Sequence, residues 1–547
     1  MELGRLALRG SPTKLHVSMA YSLAVRFFLK ALEYFYRTLR HTVHSCLAIA
    51  FRKDAGRTVP PIRDPILLKS AAQLAEEIRT RKVKSQDVVL AYLRRIEEVD
   101  PLINATVERR RAAALREAEE VDALVESGAM TREQMARERP LLGVPLTVKV
   151  LLSVKGMRST AGSLLFRDAL AAEDAPTVSL MRRAGAIVVA TTNTAEMGMH
   201  FETNNYAHGR TANPYDLART SGGSSGGESA LISAGGSLLG LGNDMAGSIR
   251  LPCMFTGLFG HKPSKGLVTS HGSFPAPISE LEKFLFTGPM CRYSMDLQLA
   301  MSVLTSQNKN PLKFGQRVNF KDLKVYYMTS VGYHPLITPI DTETALAIKK
   351  AVSHFESTYG IKAKEVKIPN LKSAAAIYIH NLMSSCKDIG HALTSGKGDI
   401  TPFKEFLKHL LGRSTLTQGP IIVMNSPYFP LLYNEDDVVY YEKLGKKLAG
   451  EFRQLLDDKS VLLFPTFPLQ APYHHEITML LPSTCYTLVY NLLGLPVTQC
   501  PMGLRADGLP VGLQIVGGMN NDPLTIACAA ELEKAFGGWI PPGRTRK

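Results

Sequence analysis

The sequence predicts an α/β fold built on a large mixed β-sheet with helices on both faces. Two observations predict it. From Leu141 onward the chain carries short apolar runs set between glycines: LLGVPLTVKV (141–150), GAIVVATT (185–192), SLLGLGND (237–244) and GLPVGLQIVGG (508–518). These strand-like runs alternate with stretches of helical periodicity, and strands alternating with helices form sheets covered on both faces. Composition agrees: with 45% apolar and 21% charged residues over 547 positions, the chain can bury a sizeable core and is neither disordered, collagenous nor an all-membrane bundle. No fixed-period repeat is visible, and no shift of composition past residue 67 marks a second domain.

The first 64 residues stand apart. They hold eleven basic residues against four acidic ones, nearly half of the net charge of +15. From Val17 to Phe51, Arg26, Lys30, Glu33, Arg37, Arg40 and His44 recur at steps of three and four and share one helical stripe, while Phe27, Phe28, Leu32, Tyr34, Phe35, Tyr36, Leu39 and Val43 fill the rest of the circumference. No charge-free run approaches the ~20 residues of a spanning helix. The reading is an amphipathic helix lying in a membrane interface, its Lys and Arg meeting anionic head groups, rather than one packed on its own protein or a cleaved signal peptide. FRKDAGRTVPPIRDP, up to Pro65, reads as a linker. The division is therefore 1–64, a basic membrane-binding arm and linker, and 65–547, a single folded body.

Within the body, residues 70–99 show helical periodicity with a break at Lys82–Lys84 and an N-cap at Ser85. PFKEFLKHLL (402–411) places Phe403, Phe406, Leu407, Leu410 and Leu411 on one helical face, capped by Thr401; on periodicity alone that face packs on the core.

Two glycine- and serine-rich segments carry the chemistry. GGSSGGESALISAG (222–235) opens a helix, and GLGNDMAGSIRLP (240–252) follows a strand. Such turns converge backbone N–H groups on one point and suit an oxyanion or phosphate. Neither has the Lys of a P-loop, and neither fits a dinucleotide fingerprint. Gly222, Ser224 and Gly226 have GxSxG spacing, so an α/β-hydrolase elbow with Ser224 as nucleophile and His474–His475 downstream is one reading. Taken singly, Lys149 reads as a strand-end lysine reaching solvent, Ser224 as a helix N-cap, and Ser248 as the cap of the helix that begins at SIR. Seven cysteines lie far apart with no ligand spacing, which fits a reducing compartment and no structural zinc. Outside the arm no basic stripe is interleaved with aromatics, so nucleic acid is not expected as a partner.

Taken together, Lys149 at the end of GVPLTVK, GGSSGGE (222–228) and DMAGSIR (244–250), with 24 residues between Ser224 and Ser248, resemble the amidase signature family of serine amidases over about residues 67–540. Within the family the likeness is to the fatty-acid amide hydrolases of the second type, through FGHKPSKG (259–266), GPMCRY (288–293), LGLPVTQCPMGL (493–504) and LEKAFGGW (532–539). The resemblance implies a Ser-Ser-Lys triad with no cofactor and no metal: Ser248 as acyl-ester nucleophile, Ser224 as proton relay, and Lys149 as general base, neutral because Val144, Leu146, Val148, Val150 and Leu151 desolvate it. It assigns the oxyanion hole to the N–H groups of Met245, Ala246, Gly247 and Ser248, and a supporting role to Asp244 and Arg250. Residues 65–547 become one catalytic domain hydrolysing primary amides and N-acyl ethanolamine-type lipids. Its partners are a lipid amide and a membrane surface or lipid droplet, its location is intracellular, and a homodimer is compatible with the family. Residues 402–411 would then border the acyl channel and the membrane. A base that must be neutral predicts acylation rising with pH over the alkaline range.

Two departures from the family pattern stand out. Ala246 occupies the first position of a usual Gly-Gly-Ser, which strains the oxyanion hole if that position needs φ > 0. Val150 replaces a frequent acidic residue, which favours a neutral Lys149. The competing readings are the elbow hydrolase, an amidase or esterase for other small amides, a catalytically weakened lipid-binding relative, and a tRNA-dependent transamidation subunit, against which the arm argues.

Overall fold

The computed structural model describes residues 12–276, 279–385, 400–428 and 433–543. Arg5 and Arg9 of the basic arm, the side chains of Lys14 and Arg26, and Cys386 lie outside the described residues. An eleven-stranded mixed sheet organises the body. Its strands are β1 (Thr106–Arg109), β2 (Pro145–Lys149), β3 (Ile187–Thr192), β4 (Leu239–Asp244), β5 (Phe259–Lys262), β6 (Phe286–Cys291), β7 (Lys324–Tyr327), β8 (Lys364–Glu365), β9 (Ser460–Phe464), β10 (Val497–Leu504) and β11 (Pro510–Gly517). The spatial order is β1-β3-β2-β4-β6-β5-β10-β11-β9-β7-β8. β3, β2 and β4 run parallel, as do β9, β7 and β8; the remaining neighbours are antiparallel. Every residue of β2, β3 and β4 is buried, as central strands covered on both faces require.

The parallel trio sets up the site. Lys149 is the last residue of β2, Thr192 of β3 and Asp244 of β4, so all three lie at the carboxyl ends of neighbouring strands, where ligands gather in parallel sheets. Seven helices matter below: α1 (Pro12–Ala50), α2 (Ser85–Ile103), α3 (Gly226–Ser233), α4 (Arg250–Phe255), α5 (Pro402–Leu410), α6 (Gln418–Asn425) and α7 (Cys485–Leu493). Ser85 proves to be the first helical residue of α2 rather than its cap. The Asp122 carboxylate, from another helix, accepts from the N–H groups of Ser85 and Gln86, and the Ser85 hydroxyl is free to donate to the Gly143 carbonyl.

The arm is one 39-residue helix, α1. Among the described residues no helix is long and apolar enough to cross a membrane. Part of its polar stripe is turned toward the body, through Glu33, Arg40 and His44, while Lys30 and Arg37 stay exposed. Arg40 donates to Thr338 Oγ1, His44 Nδ1 lies 2.9 Å from Glu476 Oε1, Glu33 accepts from the Tyr333 hydroxyl, and Tyr36 donates to the Met479 carbonyl. The outward face is aromatic: Phe27, Phe28, Tyr34 and Phe35 are 64–77% exposed. α5 likewise corrects the core-facing reading, since Phe403, Leu407, Leu410 and Leu411 are exposed and Phe406 alone of that set packs inward.

Candidate active site

Lys149 is fully buried, not a strand-end lysine reaching water. Its Nζ lies 2.6 Å from Ser224 Oγ and 2.6 Å from Asn243 Oδ1. Burial pulls its pKa down to about 7, against the pull of the Asp244 and Glu228 carboxylates in the other direction. A neutral amine keeps two hydrogens and one lone pair, so it can donate to Asn243 and aim the lone pair at the Ser224 hydroxyl. Asn243 had escaped the sequence reading, although it directly precedes Asp244 in the motif.

Ser224 sits in the turn before α3, after a cis Gly223–Ser224 peptide. It does not cap α3, whose N-cap residue is Ser225 and has no side-chain cap bond. Its carbonyl accepts from Thr194 Oγ1 and the Ala195 N–H, which holds the hydroxyl at the lysine. The Ser225 N–H donates to the Ser248 carbonyl at 3.2 Å, lashing the two serine loops together. Ser248 does not cap α4 either; that position is Ile249. Ser248 is 5% exposed, and among the described residues its hydroxyl makes no hydrogen bond, to Ser224 or any other group.

The loop 245–248 is held from three sides. Tyr378 donates its hydroxyl to the Met245 carbonyl and Thr487, on α7, to the Ala246 carbonyl. The Asp244 carboxylate accepts from the N–H groups of Gly247 (2.7 Å) and Ile249 (3.1 Å). Burial alone would raise the Asp244 pKa, but the Arg250 charge and hydrogen bonds, with Asn491 and the Ile249 N–H, hold it well below the usual carboxylate range. Gly247 N–H is thus already engaged, which removes it from the four expected oxyanion donors. The N–H groups of Met245, Ala246 and Ser248 have no acceptor among the described residues.

The strain expected at Ala246 is absent, because Ala246 is not at positive φ. The glycine requirement sits one residue later: Gly247 has φ +127°, and a Cβ there would lie 2.4 Å from Thr487 Oγ1.

The elbow reading fails on its histidines. Nδ1 of buried His474 faces Glu202 Oε1 at 2.9 Å and Nε2 faces the Leu217 carbonyl at 3.1 Å. Both ring nitrogens are thus taken up by groups other than a serine hydroxyl. Nε2 of His475 lies 3.1 Å from the Arg210 guanidinium.

Beside Ser224 lies an apolar cluster of Leu151, Phe166, Met197, Leu416, Ile421 and Met424, against which Phe406 of α5 packs. A Cβ on Gly198 would come within 3.0 Å of Leu151 and 3.5 Å of Ser224 Oγ, which fixes how close this cluster is to the hydroxyl. α6 is anchored there by buried Glu196, which accepts from the N–H and hydroxyl of Thr417.

Comparison with known proteins gives the family of the chain. The family model described as Amidase matches residues 87–526. Fatty-acid amide hydrolase 2-A of Danio rerio is 41% identical over 493 residues, covering 89% of this chain and 92% of that protein. Fatty-acid amide hydrolase 2 of Homo sapiens is 40% identical over 507 residues, covering 91% and 95%. Among solved structures, a bacterial aryl acylamidase of the amidase signature family superposes with a TM-score of 0.72 at 24% identity, covering 88% of this chain and all of that one, a likeness of fold. The chain belongs to the amidase signature family and is a serine amidase, a hydrolase of carbon–nitrogen bonds.

Proposed function

We propose that the protein hydrolyses long-chain fatty-acid amides through an acyl-Ser248 intermediate, with Ser224 as proton relay and Lys149 as base. The observation that carries the triad is the 2.6 Å separation of Lys149 Nζ from Ser224 Oγ in full burial. Neutral Lys149 takes the Ser224 proton as Ser224 takes that of Ser248, and Ser248 Oγ attacks the amide carbon. The N–H groups of Met245, Ala246 and Ser248 receive the developing oxyanion. The proton then returns through Ser224 to the leaving nitrogen, which departs badly unless protonated, and water cleaves the ester along the same relay. Asp244 and Arg250 fix the loop and take no proton. The absence of positive φ at Ala246 supports a competent site over a weakened one.

The lipid substrate is supported by the apolar cluster beside Ser224, by the exposed face of α5, and by the names of the two fatty-acid amide hydrolase relatives. Membrane association is supported by the outward aromatic face of α1. Intact-mass analysis and peptide mapping after fluorophosphonate treatment test the triad: label on Ser248, absent in Lys149→Met, is expected, and label on Ser224 overturns the assignment. Turnover of a long-chain primary amide should exceed that of a short-chain analogue; the reverse order overturns the lipid substrate.

A further inference from the structure

Glu228 is a buried carboxyl for which the proposed chemistry has no role. It projects from α3 into the layer of side chains that holds Lys149, and it is fully buried. Its two oxygens accept from two threonine hydroxyls, Thr147 Oγ1 on β2 and Thr192 Oγ1 on β3, the second at 2.6 Å. Thr147 lies two residues before Lys149 on the same face of β2, and Thr192 is the register partner of Lys149 across the parallel pairing. The carboxyl therefore sits beside the lysine on both strands. It lies flat against β4, since a Cβ on Gly240 would fall 1.8 Å from Glu228 Oε1, so no larger residue fits under it. Yet Glu228 and Lys149 form no ion pair, as Nζ is committed to Ser224 and Asn243.

Two threonine hydroxyls give the carboxylate two donors, and because each hydroxyl can also accept, they can serve the carboxylic acid as well. The remaining surroundings are nearly free of charge. Asp244 at the end of β4 is spent on Arg250, and Cys253 on α4 is a thiol that burial and the two carboxylates push up. On α2, buried Arg95 bonds the Ala234 carbonyl at the far end of α3. Lys149 is thus the cation with which Glu228 interacts. Burial raises the Glu228 pKa to about 7, opposed by the two threonine bonds and the lysine, so both groups change charge over one pH interval.

We propose that Glu228 is a positioning residue that sets the proton affinity of Lys149, so that the acid limb of catalysis belongs to the pair rather than to the lysine alone. The inference rests on Lys149 as the base. With one proton shared between them, the pair exists as ammonium and carboxylate or as amine and carboxylic acid, and the second form alone can accept the serine proton. Loss of that last proton opens the site fully, and a carboxylate beside the ammonium delays it to higher pH.

The test is the rate of Ser248 labelling by a fluorophosphonate, followed by intact mass from about pH 5.5 to about pH 9, in the parent, Glu228→Gln and Glu228→Asp. Gln keeps the shape and removes the charge, so its acid limb is expected ~1 pH unit lower and as a single step. Asp restores a carboxylate and should return the limb toward that of the parent. A folded Gln variant with an unmoved limb overturns the role of Glu228 while leaving Lys149 as base. A parent with no acid limb at all, or Lys149→Met that still labels, overturns the base and the pair together. Should Glu228→Gln fail to fold, Thr192→Val removes one donor to the carboxylate, favours its neutral form, and should shift the limb in the same downward direction; no shift there overturns the proposal.

Discussion

Asp244 and Arg250 form a closed ion pair with no solvent contact, Nε to Oδ2 and Nη2 to Oδ1 each at 3.0 Å. Arg250 also donates to the Thr487 carbonyl, Gln514 Oε1 and Asn491 Oδ1, so one guanidinium joins the oxyanion loop to α7 and β11. Removing one member of a buried pair leaves an uncompensated charge, at a cost of about 3–5 kcal/mol. Asp244→Asn is therefore expected to lower the denaturant midpoint markedly and to slow Ser248 labelling even where folded. The sign with pH follows from the depressed carboxyl. The stabilisation from Asp244 is complete above its unfolded value of about 4 and is lost as pH falls below it. The stability gap between Asn variant and parent should hold across the neutral range and narrow only in strong acid, as pH falls through the depressed titration of Asp244; equal stability of the two proteins at neutral pH would count against the pair.

Gly247 and Ala246 separate the glycine that the loop needs from the one it does not. Gly247→Ala forces a Cβ onto Thr487 at a φ that costs about 1–3 kcal/mol, and it displaces a loop whose donors must meet the oxyanion. A fall in kcat of at least ~10²-fold is expected, the size of losing one oxyanion donor. Ala246→Gly relieves no strain and should change kcat less than about threefold. A large gain in the Ala246→Gly variant would show that alanine does distort the hole.

These two positions also mark how far the sequence was legible. The reacting residues lie in three short segments with their own local signatures, and the central strands declared themselves by apolar runs between glycines. What holds the loop does not. Tyr378, Thr487 and Asn491 come from more than 130 residues downstream, on segments whose local patterns announce only helices, and their contacts exist only in the folded chain. The strain placed on Ala246 came from reading a motif position as a conformation. The polar stripe of α1 is visible in the sequence, but periodicity gives a face without saying what it meets; Glu476, Thr338 and Tyr333 meet part of it here. The same limit hid that α5 faces outward.

Lys149 couples activity to stability through pH. With its pKa near 7, kcat/KM should rise through neutrality and level off above about pH 8, lower than the alkaline rise the motif alone suggests. The folded state binds the lysine proton less tightly than the unfolded chain, whose value is about 10.4, so between those values unfolding takes up a proton and this site's contribution to stability increases with pH. Lys149→Met removes that dependence along with activity. Thermal melts of both proteins from about pH 6 to about pH 10 should show the parent gaining on the Met variant as pH rises. Parallel curves would mean that the lysine is charged in the folded protein and cannot be the base.

The outward aromatics of α1 give a test of membrane association that leaves the site alone. Their side of the helix is opposite the contacts to Thr338, Glu476 and Met479, so Phe27→Ser, Phe28→Ser and Phe35→Ser together should leave α1 docked and fluorophosphonate labelling in detergent unchanged. Each ring moved from water into the acyl boundary contributes about 1–2 kcal/mol, so the triple variant should bind vesicles at least ~100-fold more weakly in a sedimentation assay. Arg40 and His44 are engaged by the body, which leaves Lys30 and Arg37 as the exposed cations over the described part of the stripe. Binding should consequently depend on apolar insertion more than on anionic lipid, with only a modest loss on neutral phosphatidylcholine vesicles or at raised salt. Equal sedimentation of parent and triple variant would remove α1 as the membrane contact, and binding abolished by salt would restore the charged stripe to that role.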